Sequence, residues 1–351
     1  MPSTAAWRRA SMTCDDDLHT LIVGREAMAC RFEVVFNTGE VADATGLGCD
    51  ALDLVDEIES RISVYRDTSE LSRLNAQAAA GWVPVSADVF ALLQRAVELA
   101  ARTGGAFDIA SGALVRAWGF LRRQGRVPTD AELASALASA GTRHVDLDPA
   151  SNRVRFSRPG VEINPGAIGK GWAIDRAVEL LESRGSRSVL VHGGSSSVRA
   201  RGIQGPELPG RGGWRVGLRH PLRPGRRLAT ITLRDRALGT SGSGTQFFVD
   251  RGRRLGHILD PRSGLPAEGV LSATVIAPSA ADADALATAL YVLGADGLDC
   301  VAPPGGPVAA ILVLPASAPG AIRVTLANID DATITIDTEA GMEIDRRPAA
   351  E

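Results

Sequence analysis

Lysine is nearly missing from this chain: of its 38 Lys+Arg residues only Lys170 is lysine, so arginine serves wherever a positive charge alone is needed. The exception stands in Asn164-Pro-Gly-Ala-Ile-Gly-Lys170-Gly-Trp-Ala-Ile-Asp175. Arginine is a wide planar fork, whereas lysine is a compact point charge on a flexible stem, suited to reaching one phosphate oxygen in a tight, glycine-lined place. A chance survivor of arginine-biased codon usage is the other reading; the flanking glycines favour function.

Cysteine is scarce as well. Cys14, Cys30, Cys49 and Cys300 form no close pair and no metal-ligand spacing, which argues against a zinc site and a disulfide framework and leaves reduced thiols. No apolar run approaches the roughly 18 residues of a membrane span. Arg8-Arg9 is followed by Ser-Met-Thr-Cys-Asp-Asp-Asp rather than an apolar stretch, so secretory, twin-arginine and lipoprotein signals fail at the same point and a cytoplasmic protein is expected. A net charge of −3 lacks the positive excess by which nucleic-acid binders neutralise phosphates, so no nucleic-acid partner is expected. The Arg-rich stretch from Arg211 to Arg227 reads as a solvated loop.

What is present is ordinary globular composition, 45% hydrophobic and 23% charged over 351 residues, enough for one large domain or two intimately packed ones. Residues 1–18 are expected as a flexible tail, 19–340 as the folded domain and 341–351 as a C-terminal tail. Arg31–Phe36 alternates like a strand, and Leu47, Ala51, Leu54, Val55 and Ile58 follow helical spacing. Ser86 is an N-cap for a second helix with its stripe at Val89, Leu93, Ala96, Val97 and Ala100, stopped by Gly104-Gly105. A third helix starts near Lys170 and ends before Gly185, leading into a strand at 188–192. Strands follow at 214–218, 228–233, 246–249 and 272–277, then a fourth helix from Ser279, with Asp282 three residues on as in a capping box. Strands near 309–314, 322–327 and 333–336 close the chain. Helices and strands mix without βαβ alternation, which predicts an α+β fold of mixed or antiparallel sheets with packed helices.

Three constellations could carry chemistry. The turn Gly166-Ala-Ile-Gly-Lys170-Gly171 opens a helix, so free backbone N–H groups, the positive dipole end and a full charge converge there as an anion site; a close-packed strand-to-helix turn is the structural alternative. It is neither a Walker A loop nor a dinucleotide fingerprint, because Asn164 and Gly171 stand where the P-loop needs Gly and Ser or Thr. Asp284 and Thr288, four apart on the fourth helix, lie opposite Leu286 and Leu290; they offer two oxygens to a hard cation such as Mg²⁺ or form a solvated polar face. His257 ends a short strand beside the Asp260-Pro-Arg-Ser-Gly264 turn, placed either for proton transfer or for a structural role.

In order along the chain, these segments resemble the ApbE-type flavin transferase family, the FAD:protein FMN transferases. The resemblance rests on Met28 ahead of a strand, Ile62-Ser-Val-Tyr65 through Asn75, and Gly105-Ala-Phe-Asp108 with Trp118-Gly-Phe120. It continues through Gly166–Gly171, Gly193-Gly194, Thr240-Ser-Gly242, His257–Gly264 and Asp284-Ala-Leu-Ala-Thr288. It implies a soluble α+β enzyme that binds FAD and Mg²⁺, moves FMN onto a threonine hydroxyl of an acceptor flavoprotein and releases AMP. By position, Met28, Tyr65, Ala106, Phe107, Asp108, Asn164, Lys170 and Ile258 would contact FAD. The Ala167 carbonyl, Asp284 and Thr288 would hold Mg²⁺, and His257 would be the base. The chain departs from the family pattern at Met28-Ala-Cys30 for Met-Gly-Thr, at Asn164 for aspartate, at Ser195 for the aspartate of Gly-Gly-Asp, and at Gly256 for a Ser or Thr. A FAD pyrophosphatase with water as nucleophile, or a non-catalytic FAD-binding protein, would use the same residues.

Overall fold

The computed structural model describes residues 19–122, 124–206, 212–242 and 246–347; the expected N-terminal tail lies outside them. The fold is α+β. Its central sheet has nine strands in the order β1 (Thr20–Ala27), β2 (Cys30–Asn37), β6 (Val189–Gly193), β7 (Ser197–Arg201), β10 (Arg236–Gly242), β13 (Ser272–Ala277), β14 (Ala309–Pro315), β15 (Ile322–Ala327) and β17 (Met342–Arg347). Every pairing is antiparallel except β15 with β17. Three small sheets accompany it: β3 (Val83–Pro84), β5 (Arg153–Phe156) and β4 (Val145–Asp148); β16 (Ile334–Ile336), β9 (Arg227–Leu233) and β8 (Trp214–Arg219); and the hairpin of β11 (Phe247–Asp250) and β12 (Arg253–Gly256). The helices are α1 (Ala44–Ile62), α2 (Glu70–Gln77), α3 (Ala87–Arg102), α4 (Gly112–Ala117), α5 (Asp130–Ser139), α6 (Gly169–Ser183), α7 (Ala280–Leu293) and α8 (Leu298–Val301).

Period-two alternation sorts the central sheet's side chains between two cores. Val189 and Val191 of β6, with Val34 and Phe36 of β2, face α1, α3, α6 and α7, whereas Leu190 and Ile276 face the β8–β9–β16 sheet. With both faces covered, β13 is buried at every residue, its polar Ser272 and Thr274 included. A satellite core of Leu114, Trp118, Phe120, Leu255 and Leu259 ties α4 to the β11–β12 hairpin.

The strong sequence signals match the structure. Ser86 Oγ caps α3 by accepting from Val89 N–H, and Gly105, at φ 79°, returns its N–H to the Ala100 carbonyl at 2.8 Å. Ser279 Oγ accepts from Asp282 N–H at 3.1 Å, but the Asp282 carboxylate turns to Arg95 instead of completing a capping box. Met342–Arg347, inside the stretch read as a C-terminal tail, forms β17 and hydrogen-bonds along β15. Part of the Arg-rich stretch is β8 rather than loop, because Trp214 and Leu218 on alternate positions are buried under the sheet.

Several elements end at one edge of this architecture. The β6–β7 turn, the start of β2, the second half of β10 and the start of α6 meet there, as the pairings Phe32↔Gly193, Gly193↔Ser197 and Gly239↔Ser197 record.

Candidate active site

Helix α7 enters this edge through a seam that excludes side chains. Its buried positions include Ala280, Ala281, Ala283, Ala285, Ala287 and Ala289. A Cβ on Gly171 of α6 would overlap the Ala280 carbonyl and come within 2.6 Å of Ala281 N, and one on Gly239 of β10 would lie 2.5 Å from Ala283 O. Backbone therefore packs on backbone from two sides, and Asp284 is drawn into the seam at 8% exposure. Its Oδ2 accepts from Gly171 N–H at 2.9 Å, and Ser197 Oγ donates to the carboxylate from 2.7 Å to Oδ1 and 2.9 Å to Oδ2. Burial pushes this carboxyl up to about 6, although the Lys170 charge, the Ser197 hydroxyl and the Gly171 N–H pull it down. The alternative of a solvated polar helix face is thereby overturned.

The bond from Gly171 has a second effect. In a regular helix that N–H would reach the carbonyl four residues back, at Ala167. Here it is given to Asp284, and no backbone donor to the Ala167 carbonyl occurs among the described turn and cap bonds. One helical turn beyond Asp284, Thr288 Oγ1 donates to the Asp284 carbonyl at 3.2 Å and lies 3.1 Å from Ser241 Oγ. A buried carboxylate without an ion-pair partner among the described residues, a released carbonyl and a hydroxyl with spare lone pairs are all hard oxygen donors. Such a set fits Mg²⁺, which takes few protein ligands and completes its octahedron with water and phosphate.

Lys170, half-buried in the first turn of α6, is close enough to act on three neighbours. Its charge favours the ionised forms of Asp284 and Cys30 and opposes protonation of His257. For Cys30 burial dominates and raises the thiol. His257 is held below the usual imidazole range, chiefly by burial and further by Lys170, against the Gln246 carbonyl bond that favours the charged form. That carbonyl lies 3.0 Å from Nδ1 and can only accept, so Nδ1 carries the hydrogen and Nε2 keeps its lone pair. Phe120 packs edge-on against the ring at 6.4 Å, and Gln246 Nε2 donates to the Phe120 carbonyl, joining the His257 strand end to the Trp118–Phe120 loop.

The other residues singled out from sequence spread around this centre. Met28 and Ala29 form the two-residue β1–β2 turn with φ of 49° and 59°, left-handed values unusual for non-glycine residues, and the Met28 N–H is fixed to Glu59 Oε2 of α1 at 2.8 Å. Asn164 Oδ1 accepts from Gly166 N–H at 2.9 Å, shaping the turn before Lys170, while its N–H binds the Ile109 carbonyl. A cleft of about 280 Å³ opens beside it, lined by Val64, Asp67, Asn75, Arg116 and Glu162 among others. Ile258 is half-buried next to His257, its carbonyl bonded by Ala267 N–H. Tyr65, 72% exposed, lies in the loop after α1 between Val64 and Asp67 of the cleft beside Asn164. Ala106 and Phe107 bury their side chains in the core, so only their backbone can face a ligand. The Asp108 carboxylate is occupied: it accepts from Ala110 N–H and Thr142 N–H, both at 2.8 Å, and from the Thr142 hydroxyl at 3.2 Å.

Sequence reasoning missed Ser197, whose hydroxyl is the nearest donor to Asp284, and Glu59, which fixes the Met28 turn. Ser197 carries no motif of its own. Its pairing opposite Gly193 and Gly239 becomes visible only when β7 is placed between β6 and β10.

The sequence pattern of the ApbE family matches residues 28–312. The chain belongs to the ApbE family. The FAD:protein FMN transferase of Treponema pallidum is 37% identical over 257 residues, spanning 69% of each chain, and that of Escherichia coli strain K12 is 32% identical over 247 residues, 68% of this chain and 69% of its own. Among solved structures, the ApbE protein of Thermotoga maritima superposes with a TM-score of 0.76 at 31% identity, covering 87% of this chain and 96% of that one. The flavin transferase ApbE of Vibrio cholerae gives 0.75 at 26% identity, covering 89% and 98%. The Treponema pallidum, Escherichia coli and Vibrio cholerae relatives are transferases, and the chain is an enzyme of that class. The Gly166–Gly171 turn, His257 and the Asp284/Thr288 pair all fall inside the matched span, on the ApbE fold. No helix among the described residues is long and apolar enough to cross a membrane.

Proposed function

We propose that this ApbE-family protein transfers the FMN part of FAD to a threonine hydroxyl of an acceptor flavoprotein, with Mg²⁺ bound, and releases AMP. The observation that carries the reading is that the chain's one lysine, at a helix N-terminus, acts on both the buried Asp284 carboxylate and His257, a histidine whose Nε2 keeps its lone pair. Asp284, Thr288 and the Ala167 carbonyl would hold the metal, which when bound supplies charge neutralisation at phosphate oxygens. Lys170 binds the pyrophosphate and, with the positive end of α6, stabilises charge gained as the bridge breaks; the Gly169, Gly171 and Trp172 N–H groups are already given to the Pro165 carbonyl, the Asp284 carboxylate and the Ile168 carbonyl. Met28, Tyr65, Ile258, Asn164 and the backbone of Ala106, Phe107 and Asp108 hold the rest of FAD. His257 takes the threonine proton at Nε2 as the threonine oxygen bonds to the FMN phosphorus; the bond from that phosphorus to the AMP oxygen breaks, and AMP leaves with the electron pair.

Incubating the protein with FAD, Mg²⁺ and candidate flavoprotein domains tests the reading. A fluorescent, phosphate-linked acceptor band with stoichiometric AMP is expected. Free FMN and AMP without a labelled acceptor would make water the nucleophile and the protein a pyrophosphatase, and FAD bound unchanged would make it a binder.

A further inference from the structure

Asp175 is 3% exposed at the contact of α6 and α7, a buried carboxylate for which the transfer reaction has no direct use. Its Oδ1 accepts from Ala280 N–H at 2.8 Å and from Arg199 Nη1 at 2.6 Å, and its Oδ2 accepts from Ala281 N–H at 2.9 Å. Ala280 and Ala281 open α7, where N–H groups have no partner within their own helix and the dipole end is positive, so a carboxylate is favoured there. One turn further along α7, Asp284 gives the reciprocal contact, accepting from Gly171 N–H, and Gly171 lies one turn before Asp175. Each helix thus lends a carboxylate to the other's backbone. Strand β7 serves both: Ser197 and Arg199, two apart and so on one face, bond Asp284 and Asp175 respectively. Because Gly171 leaves no gap at the crossing, sliding α7 by a fraction of a turn breaks both carboxylate contacts together.

We infer that Asp175 is a positioning residue: by capping α7 from α6 it sets the register of the two helices, and with it the placement of Asp284 and Thr288 relative to Lys170. This rests on the cation and phosphate roles proposed above for those three residues. Asp175→Asn keeps the size of the side chain but offers one acceptor oxygen where three donors converge. The Mg²⁺ concentration giving half of the metal-induced rise in unfolding temperature should increase about tenfold or more, the range found when residues that orient metal ligands are changed. kcat, measured well below the unfolding transition, should fall similarly while KM for the acceptor stays within about twofold. Arg199→Gln, which leaves both N–H contacts in place, should move the Mg²⁺ midpoint in the same direction by less.

Arg95→Gln removes the Arg95–Asp282 pair, which anchors the same first turn of α7 to α3, and should lower the unfolding temperature without moving the Mg²⁺ midpoint. A folded Asp175→Asn protein with wild-type Mg²⁺ midpoint and kcat overturns the inference, as does an equal shift in Arg95→Gln. If Asp175→Asn does not fold, an unchanged midpoint in Arg199→Gln overturns it. A wild-type protein that neither responds to Mg²⁺ nor transfers FMN defeats the functional reading itself, a result separate from any behaviour of the variants.

Discussion

Replacing Asp284 by asparagine should change how the metal-free protein responds to pH. Its carboxyl titrates at about 6 in the fold against 3.8 when unperturbed, because burial outweighs Lys170, Ser197 and the Gly171 N–H. At about 1.4 kcal/mol per pH unit the difference corresponds to roughly 3 kcal/mol. A carboxyl raised on folding favours the folded state fully below its unfolded value, and that contribution disappears as pH climbs through the folded value. In chelator the wild type should therefore lose about 2.4 kcal/mol of this between pH 4 and pH 8 that Asp284→Asn does not lose. Asparagine alters local hydrogen bonds as well, so the quantity to read is the change with pH of the difference between the two proteins, taken from urea unfolding in chelator at several pH values. Adding Mg²⁺ at pH 8 should restore stability to the wild type alone, and FMN transfer should be lost in the variant. Parallel stability profiles for the two proteins from pH 4 to 8 would refute the claim that an ionised carboxylate is held there at a cost that a cation relieves.

Lys170→Arg keeps the charge but not the compact shape; FMN transfer should fall at least about tenfold while the unfolding temperature hardly moves, and a fully active arginine variant would return the lysine to a codon-usage accident. His257→Ala should bind FAD with near-wild-type affinity in a fluorescence titration yet transfer FMN about 10²–10⁴-fold more slowly. Since burial and Lys170 hold His257 below its ordinary range, the acidic limb of the wild-type pH–rate profile should have its midpoint below about 6.5; a midpoint above that assigns the limb to another group. Gly171→Ala drives a methyl into the Ala280 carbonyl and should destabilise the fold by several kcal/mol in thermal unfolding; a neutral result would mean that the α6–α7 seam is looser than described.

The parts of this molecule legible in its sequence are those fixed by local chemistry. Caps and stops placed α3, α6 and α7 within a residue or two, because Ser86, Ser279, Gly105 and Gly185 act through their own neighbours. The capping box of α5, Thr129 with Glu132, was equally local and passed unread. Strand β1 escaped for a different reason: at the sheet edge Leu21 and Ile22 are both exposed, so alternation does not mark it. The candidate site divides along the same line. Lys170, His257, Asp284 and Thr288 announce themselves by residue type and spacing, whereas the contacts of Ser197, Glu59 and Asp175 join segments dozens of residues or more apart and exist only once the sheet order is set. The engagement of the Asp108 carboxylate by Thr142 is likewise invisible in the chain itself.

The alanine-lined seam between α6, α7 and β10 gives the protein two regions of unequal evolvability. Where Gly171 and Gly239 bring main chains into contact, almost any added atom is a collision, so the end of the site holding Lys170 and Asp284 cannot be resized by point substitution. Met28, Tyr65, Asn164 and Ile258 sit on turns and loops with no such constraint. Variation in which flavin analogue or which acceptor is accepted should therefore accumulate on the loops, over a Lys170–Asp284 end held constant by backbone geometry.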